Sequence, residues 1–108
     1  MIRSKTALID VSEDNNDSLA VRTDGMLLAG VEFPAAMTGT AITFDFSMNG
    51  STGWIDVHET DGTEVSYTVS AGNMVRVDPS GWAFASNGYI RVSSNGTEAA
   101  DRSIVLHF

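Results

Sequence analysis

An all-β fold is what this chain predicts: an antiparallel β-sandwich of about eight or nine short strands, jelly-roll or immunoglobulin-like in its connections. Three observations carry the prediction. Apolar residues recur at every second position, as in Ile42, Phe44, Phe46 and Met48, and a period of two separates the faces of a strand. Turn residues divide the short runs at even spacing: Asp24-Gly25, Asn49-Gly50, Asp61-Gly62, Gly72-Asn73 and Asn95-Gly96. No helical period persists long enough for a helix of ordinary length.

Residues 5–11 form the first expected strand, and the polar run 12–17 a loop. Residues 18–22 form a second strand. MLLAGVEF, 26–33, is a third, and its nearly continuous apolar run predicts burial on both faces or against a neighbouring subunit. Pro34 ends it, having no N–H for a ladder, and 34–39 is a linker with room for one helical turn. Residues 40–69 then organise the chain as three consecutive antiparallel strands. A two-residue Asp61-Gly62 turn would split the apolar residues between both faces. A three-residue loop, Thr60-Asp61-Gly62, instead pairs Glu59 with Thr63, Val57 with Val65 and Ile55 with Tyr67, gathering them on one face. Gly62 then takes the left-handed position of a bulged hairpin.

Residues 74–78 form a seventh strand, and the turns after Met48, Glu59 and Ser70 favour a meander of four neighbouring strands in one sheet. Residues 79–88 read as a loop with room for a turn of helix, laying Trp82 and Phe84 over an open edge of the core. Residues 88–94 and 102–108 supply the last two strands. Both ends are apolar and strand-like, so they should be paired or held by a partner. The expected core is Ile42, Phe44, Phe46, Ile55, Val57, Val65, Tyr67, Val75, Val77, Ile90, Val92, Ile104 and Leu106. With no shift of composition along it, residues 1–108 read as one domain.

A length of 108 residues suffices for one modest core. The formal net charge of −8 argues against a nucleic-acid backbone or an anionic membrane as partner; it suits a basic protein partner. Cysteine is absent, which removes disulfides, thiolate metal sites and Cys nucleophiles. The short apolar run before Asp10 lacks the features of a secretory signal, so synthesis in a cytoplasm without export is expected. No stretch has the length of a membrane span.

Chemistry-bearing residues are sparse. His58 stands between Asp56 and Glu59, and a carboxylate beside an imidazole can orient it for acid–base work. Yet Trp54, Asp56 and His58 share the face opposite the core, the ordinary make-up of a solvated sheet face. His107 would complete a metal pair only if the last strand neighboured that of Trp54. The acidic loops 13–17 and 59–64 offer oxygen ligands, but neither has the spaced pattern of a calcium loop. No serine sits in a nucleophile elbow. No catalytic residue, cofactor site or metal site is therefore assigned, and the chain reads as not an enzyme. Two binding readings stand. Trp54, Trp82 and Tyr89 offer aromatic rings for a glycan platform. Met26, Leu28, Met37, Trp82 and Phe84 offer apolar surface for an interface between subunits or with another protein.

The segments 32–44 (EFPAAMTGTAITF), 53–57 (GWIDV), 77–79 (VDP), 89–92 (YIRV) and 99–102 (AADR) occur in that order. In them the chain resembles a group of small proteins encoded among the virion genes of tailed bacteriophages and prophages. Met37 stands where that group commonly has Trp. The likeness spans roughly Val31 to Leu106 and its motifs are structural. It implies a virion component made in the bacterial cytoplasm: a capsid decoration protein, or a head or tail accessory subunit. The expectation is a homo-oligomer, a trimer favoured, bound to the major capsid protein or another virion protein. A carbohydrate-binding adhesion module on the virion is the alternative.

Overall fold

The computed structural model describes residues 3–108. Nine strands and one short 3₁₀ helix make up the described chain: β1 (Ser4–Ile9), β2 (Val21–Arg22), β3 (Gly30–Glu32), β4 (Ala41–Ser47), β5 (Ile55–Asp56), β6 (Ser66–Thr68), β7 (Met74–Arg76), the helix Pro79–Ala85, β8 (Tyr89–Ser94) and β9 (Arg102–His107). They form two antiparallel sheets packed as a sandwich. The first runs β1-β9-β3-β7; the second runs β2-β8-β4-β5, with β6 also on β4. The alternation read from the sequence sets the faces. Ile42 and Phe44 of β4, Ile90 and Val92 of β8, and Ile104 and Leu106 of β9 are fully buried between the sheets.

β5 and β6 are two pieces of one strand. Asp56 and Ile55 pair with Asp45 and Phe46, whereas Ser66, Tyr67 and Thr68 pair with Thr43, Ile42 and Ala41. Residues 58–64 leave the sheet between them as a small hairpin. Its neck is closed by the Val65 N–H donating to the Val57 carbonyl at 2.9 Å and the Glu59 N–H donating to the Thr63 carbonyl at 2.6 Å. The expected three-residue loop and the Val57–Val65 register are thus present, and Gly62 has φ +90°. The expected Ile55–Tyr67 pair is not. Both flanking segments satisfy their backbone groups on β4 rather than on each other, and Ile55 is 66% exposed at the sheet edge instead of lying in the core.

With β5 and β6 taken as one, eight strands remain. The first sheet then takes the first, eighth, third and sixth, and the second takes the second, seventh, fourth and fifth. This is the interleaved Greek-key order of a jelly roll. The expected four-strand meander is corrected by it: the turn at 70–73 carries the chain to the opposite sheet, where β7 pairs with β3.

MLLAGVEF also needs correcting. Only Gly30–Glu32 is a strand, and it lies inside its sheet between β9 and β7. Leu28, Val31 and Phe33 are buried in the single chain, so no neighbouring subunit is needed to cover them. The two ends meet as expected: β1 pairs with β9 from Ser4–His107 to Ile9–Arg102.

Candidate functional site

The edge of the second sheet carries the richest chemistry. β5 is the edge strand, so its two faces present different surfaces. Towards the inner side, Ile55 projects beyond the core near Phe46 and Phe84, and Phe84 is 54% exposed. The helix Pro79–Ala85 explains why Phe84 stands there. Asp78 caps it by accepting from the Ser80 N–H, Pro79 starts it, and Trp82 is driven inward. Trp82 meets Phe44 edge-on, ring centroids 4.8 Å apart, and Phe84 stacks on Trp82 and meets Phe46, each at 5.7 Å. Two adjoining shallow clefts of about 240 and 330 Å³ run beside this patch, with Asp56, Glu59 and Asp78 among their walls.

The outer face of the same sheet is ionic. Arg91 on β8 donates through Nε to Asp45 at 2.9 Å, approaches Asp17 at 3.4 Å, and lies 4.4 Å over the Trp54 ring. Asp45 is itself buried and stands opposite Asp56. Burial, and then the hydrogen bond it shares with the Asp56 carboxyl, push the Asp45 carboxyl above its usual range in spite of Arg91. Beyond Asp56 on this face come His58 and, across the hairpin neck, Glu64. Ligand atoms of Asp56, His58 and Glu64 all lie within 4.8 Å of one another, and all three residues are exposed.

A third feature is an open polar cleft of about 520 Å³ at the end of the sandwich, walled by Arg22, Asp24, Met48, Asn87 and Tyr89 among others. Asp24 is tied there by ion pairs to Lys5 and to Arg22, the latter at 2.9 Å.

The residues expected at an interface separate in the fold. Leu28 and Trp82 are core residues, 1% and 4% exposed, and have nothing to offer a partner. Met26 and Met37 are half-buried, Met37 against the core. Phe84 alone of the five is exposed. The three rings of the expected glycan platform do not converge. Trp54 covers Arg91 on the outer face, Tyr89 lines the end cleft, and Trp82 is buried between the sheets. His107 lies in the opposite sheet, 3.0 Å from Glu32, so it cannot join His58.

Two features escaped the sequence reading. One is the gathering of Glu64 with Asp56 and His58. The expected register sets His58 opposite Glu64, as the structure does, but by composition the two read as a solvated face and a turn. The other is Glu98, a buried carboxylate that accepts from the Thr38 N–H (2.8 Å), the Gly39 N–H (2.7 Å), the Ser94 hydroxyl (2.7 Å) and Arg102 Nε (2.8 Å). Burial pushes its pKa up. The Thr38 N–H, Arg102, the Gly39 N–H and Ser94 overcome that and hold it at about 2. The linker 34–39 and the 95–102 loop thus meet around one structural carboxylate. Comparison of the chain with family models, with curated proteins and with solved structures finds no match to any of them.

Proposed function

We propose that this chain is a bacteriophage virion structural protein that docks on the head surface as a decoration subunit. One observation carries the docking mode: an exposed apolar patch of Ile55 and Phe84 at an open sheet edge, with Asp56, Glu59 and Asp78 beside it. An aromatic anchor surrounded by carboxylates fits a partner that offers an apolar socket among basic side chains. The net charge of −8 favours the same partner over an acidic one. The phage setting rests on the sequence resemblance. Homo-oligomers on a shell symmetry axis suit the role.

Co-sedimentation with heads of the encoding phage, stripped of this chain, tests the reading. Phe84→Asp or Ile55→Asp should weaken capture about tenfold or more, since an anchor residue typically contributes about 2 kcal/mol. High salt should weaken it as well. Capture unchanged by both substitutions, or none by the native chain, would overturn the proposal.

The end cleft supports a second reading, glycan binding. Tyr89 offers a ring, and Arg22, Asp24 and Asn87 offer hydrogen-bonding groups, in one open cavity. Glycan-array binding that Tyr89→Ala abolishes and Phe84→Asp spares would favour it.

A further inference from the structure

We propose that Asp56, His58 and Glu64 form a binding site for a divalent transition-metal ion of the Zn²⁺ class. Three independent features converge. The first is geometry: one ligand atom from each residue lies within 4.8 Å of the other two, so small rotations of three exposed side chains bring them to the spacing that a single ion requires. Asp56 and His58 are two apart on one strand, and the His58–Glu64 bridge brings the third ligand from the returning strand.

The second is the state of the imidazole. His58 Nδ1 lies 2.7 Å from the Gly62 carbonyl oxygen. A carbonyl only accepts, so Nδ1 is the N–H donor, and Nε2 is the ring nitrogen that a metal could take without breaking that bond. A backbone carbonyl holding the other ring nitrogen is the usual support of a metal-bound histidine. The third is the footing. Val57 and Val65, which flank the ligands, are both buried and hydrogen-bonded across the neck. The ligands therefore stand on anchored backbone rather than on a free loop.

The donor set selects the class of ion. One imidazole with two carboxylates suits zinc and its first-row neighbours better than calcium or magnesium, which take oxygen. Three protein ligands leave a coordination position open to solvent, as in sites that bind an exchangeable ligand. Bound there, the ion would fasten the 58–64 hairpin to β5 and offset the crowding of Asp56 and Glu64. Asp56 borders the docking patch as well, but zinc binding and head capture are separate readouts, so either reading can fail without the other.

Calorimetric titration of the tag-free chain with zinc chloride, after removal of metal with EDTA, tests it. One ion per chain should bind. His58→Ala, and separately Glu64→Gln or Asp56→Asn, should weaken binding about tenfold or more. All three positions are exposed, so the variants should keep the native fold. His107→Ala, which removes the only other imidazole, should leave binding unchanged. In nitrogen-15 spectra of the unsubstituted chain, zinc should shift His58 Nε2 while Nδ1 keeps its proton. Binding that follows His107, or that persists in His58→Ala, would overturn the proposal; so would absence of saturable binding.

Discussion

Glu98 is the residue on which the local order of one end of the sandwich depends. Four donors converge on its carboxylate, and Gly39, which gives one of them, has no room for a side chain: a Cβ there would collide with the Ser94 hydroxyl. The sign of its pH effect follows from the direction of the shift. Its ordinary value of 4.5 falls to about 2 in the fold, so its contribution to stability is fully present above about pH 4.5. That contribution is lost as the pH falls from there through about 2. Glu98→Gln removes the charge, leaves Arg102 without its partner, and turns an amide N–H₂ towards donors. It should destabilise the protein by about 3 kcal/mol at neutral pH. Denaturant titrations of both forms at several pH values check this, and the gap between them should narrow below pH 4.5. Equal stability at pH 7 would mean that the four contacts are dispensable.

At the scale of the element, the interrupted strand shows what was legible in the sequence. Alternation identified the apolar faces of β4, β8 and β9 because in each strand the buried apolar residues keep a single period of two. The bulged register of 57–65 was legible for the same reason: a one-residue slip would turn Val57 and Val65 outward. What the pattern did not contain was the neighbour. Ile55 and Tyr67 alternate as partners would, yet each pairs with β4, since β4 offers both of them a continuous ladder. Alternation therefore puts Ile55 in a core it does not reach, whereas Trp82, on a helix too short to show a period, reads as a cover over the core's edge and lies inside it. The candidate metal cluster was within reach of that same register, which sets His58 opposite Glu64; alternation alone marks both only as solvent-facing. Gly62 gives the element its own test. Its φ is +90°, and a Cβ there would meet no atom within 4 Å. Gly62→Val should thus cost about 1 kcal/mol or more through backbone strain alone. A denaturation midpoint unchanged from that of the native chain would show that the turn relaxes freely.

At the scale of the whole molecule, the jelly-roll order makes most contacts distant ones in sequence. Apart from the β4-to-β5 turn, each connection between consecutive strands crosses from one sheet to the other once β5 and β6 are taken as one. Local turn chemistry cannot reveal such crossings, which is why Gly72-Asn73 read as a hairpin turn when it links the two sheets. The same topology places the end of the chain at its centre. β9 is an inner strand, paired on one side with β1 and on the other with β3. Its Ile104 and Leu106 are both fully buried. Removal of residues 102–108 would leave β1 and β3 without their shared neighbour and open a channel along the core. No remaining strand can replace it, because β1 and β3 would have to close the gap of a missing strand, about 4.8 Å for each inter-strand step. A chain ending at residue 101 should therefore lack cooperative thermal unfolding and dispersed amide resonances. Trimming an exposed loop of the hairpin, 60–62, to a shorter turn should preserve both. A native-like spectrum from the truncated chain would show that the second sheet and the 3₁₀ helix hold the fold without the first.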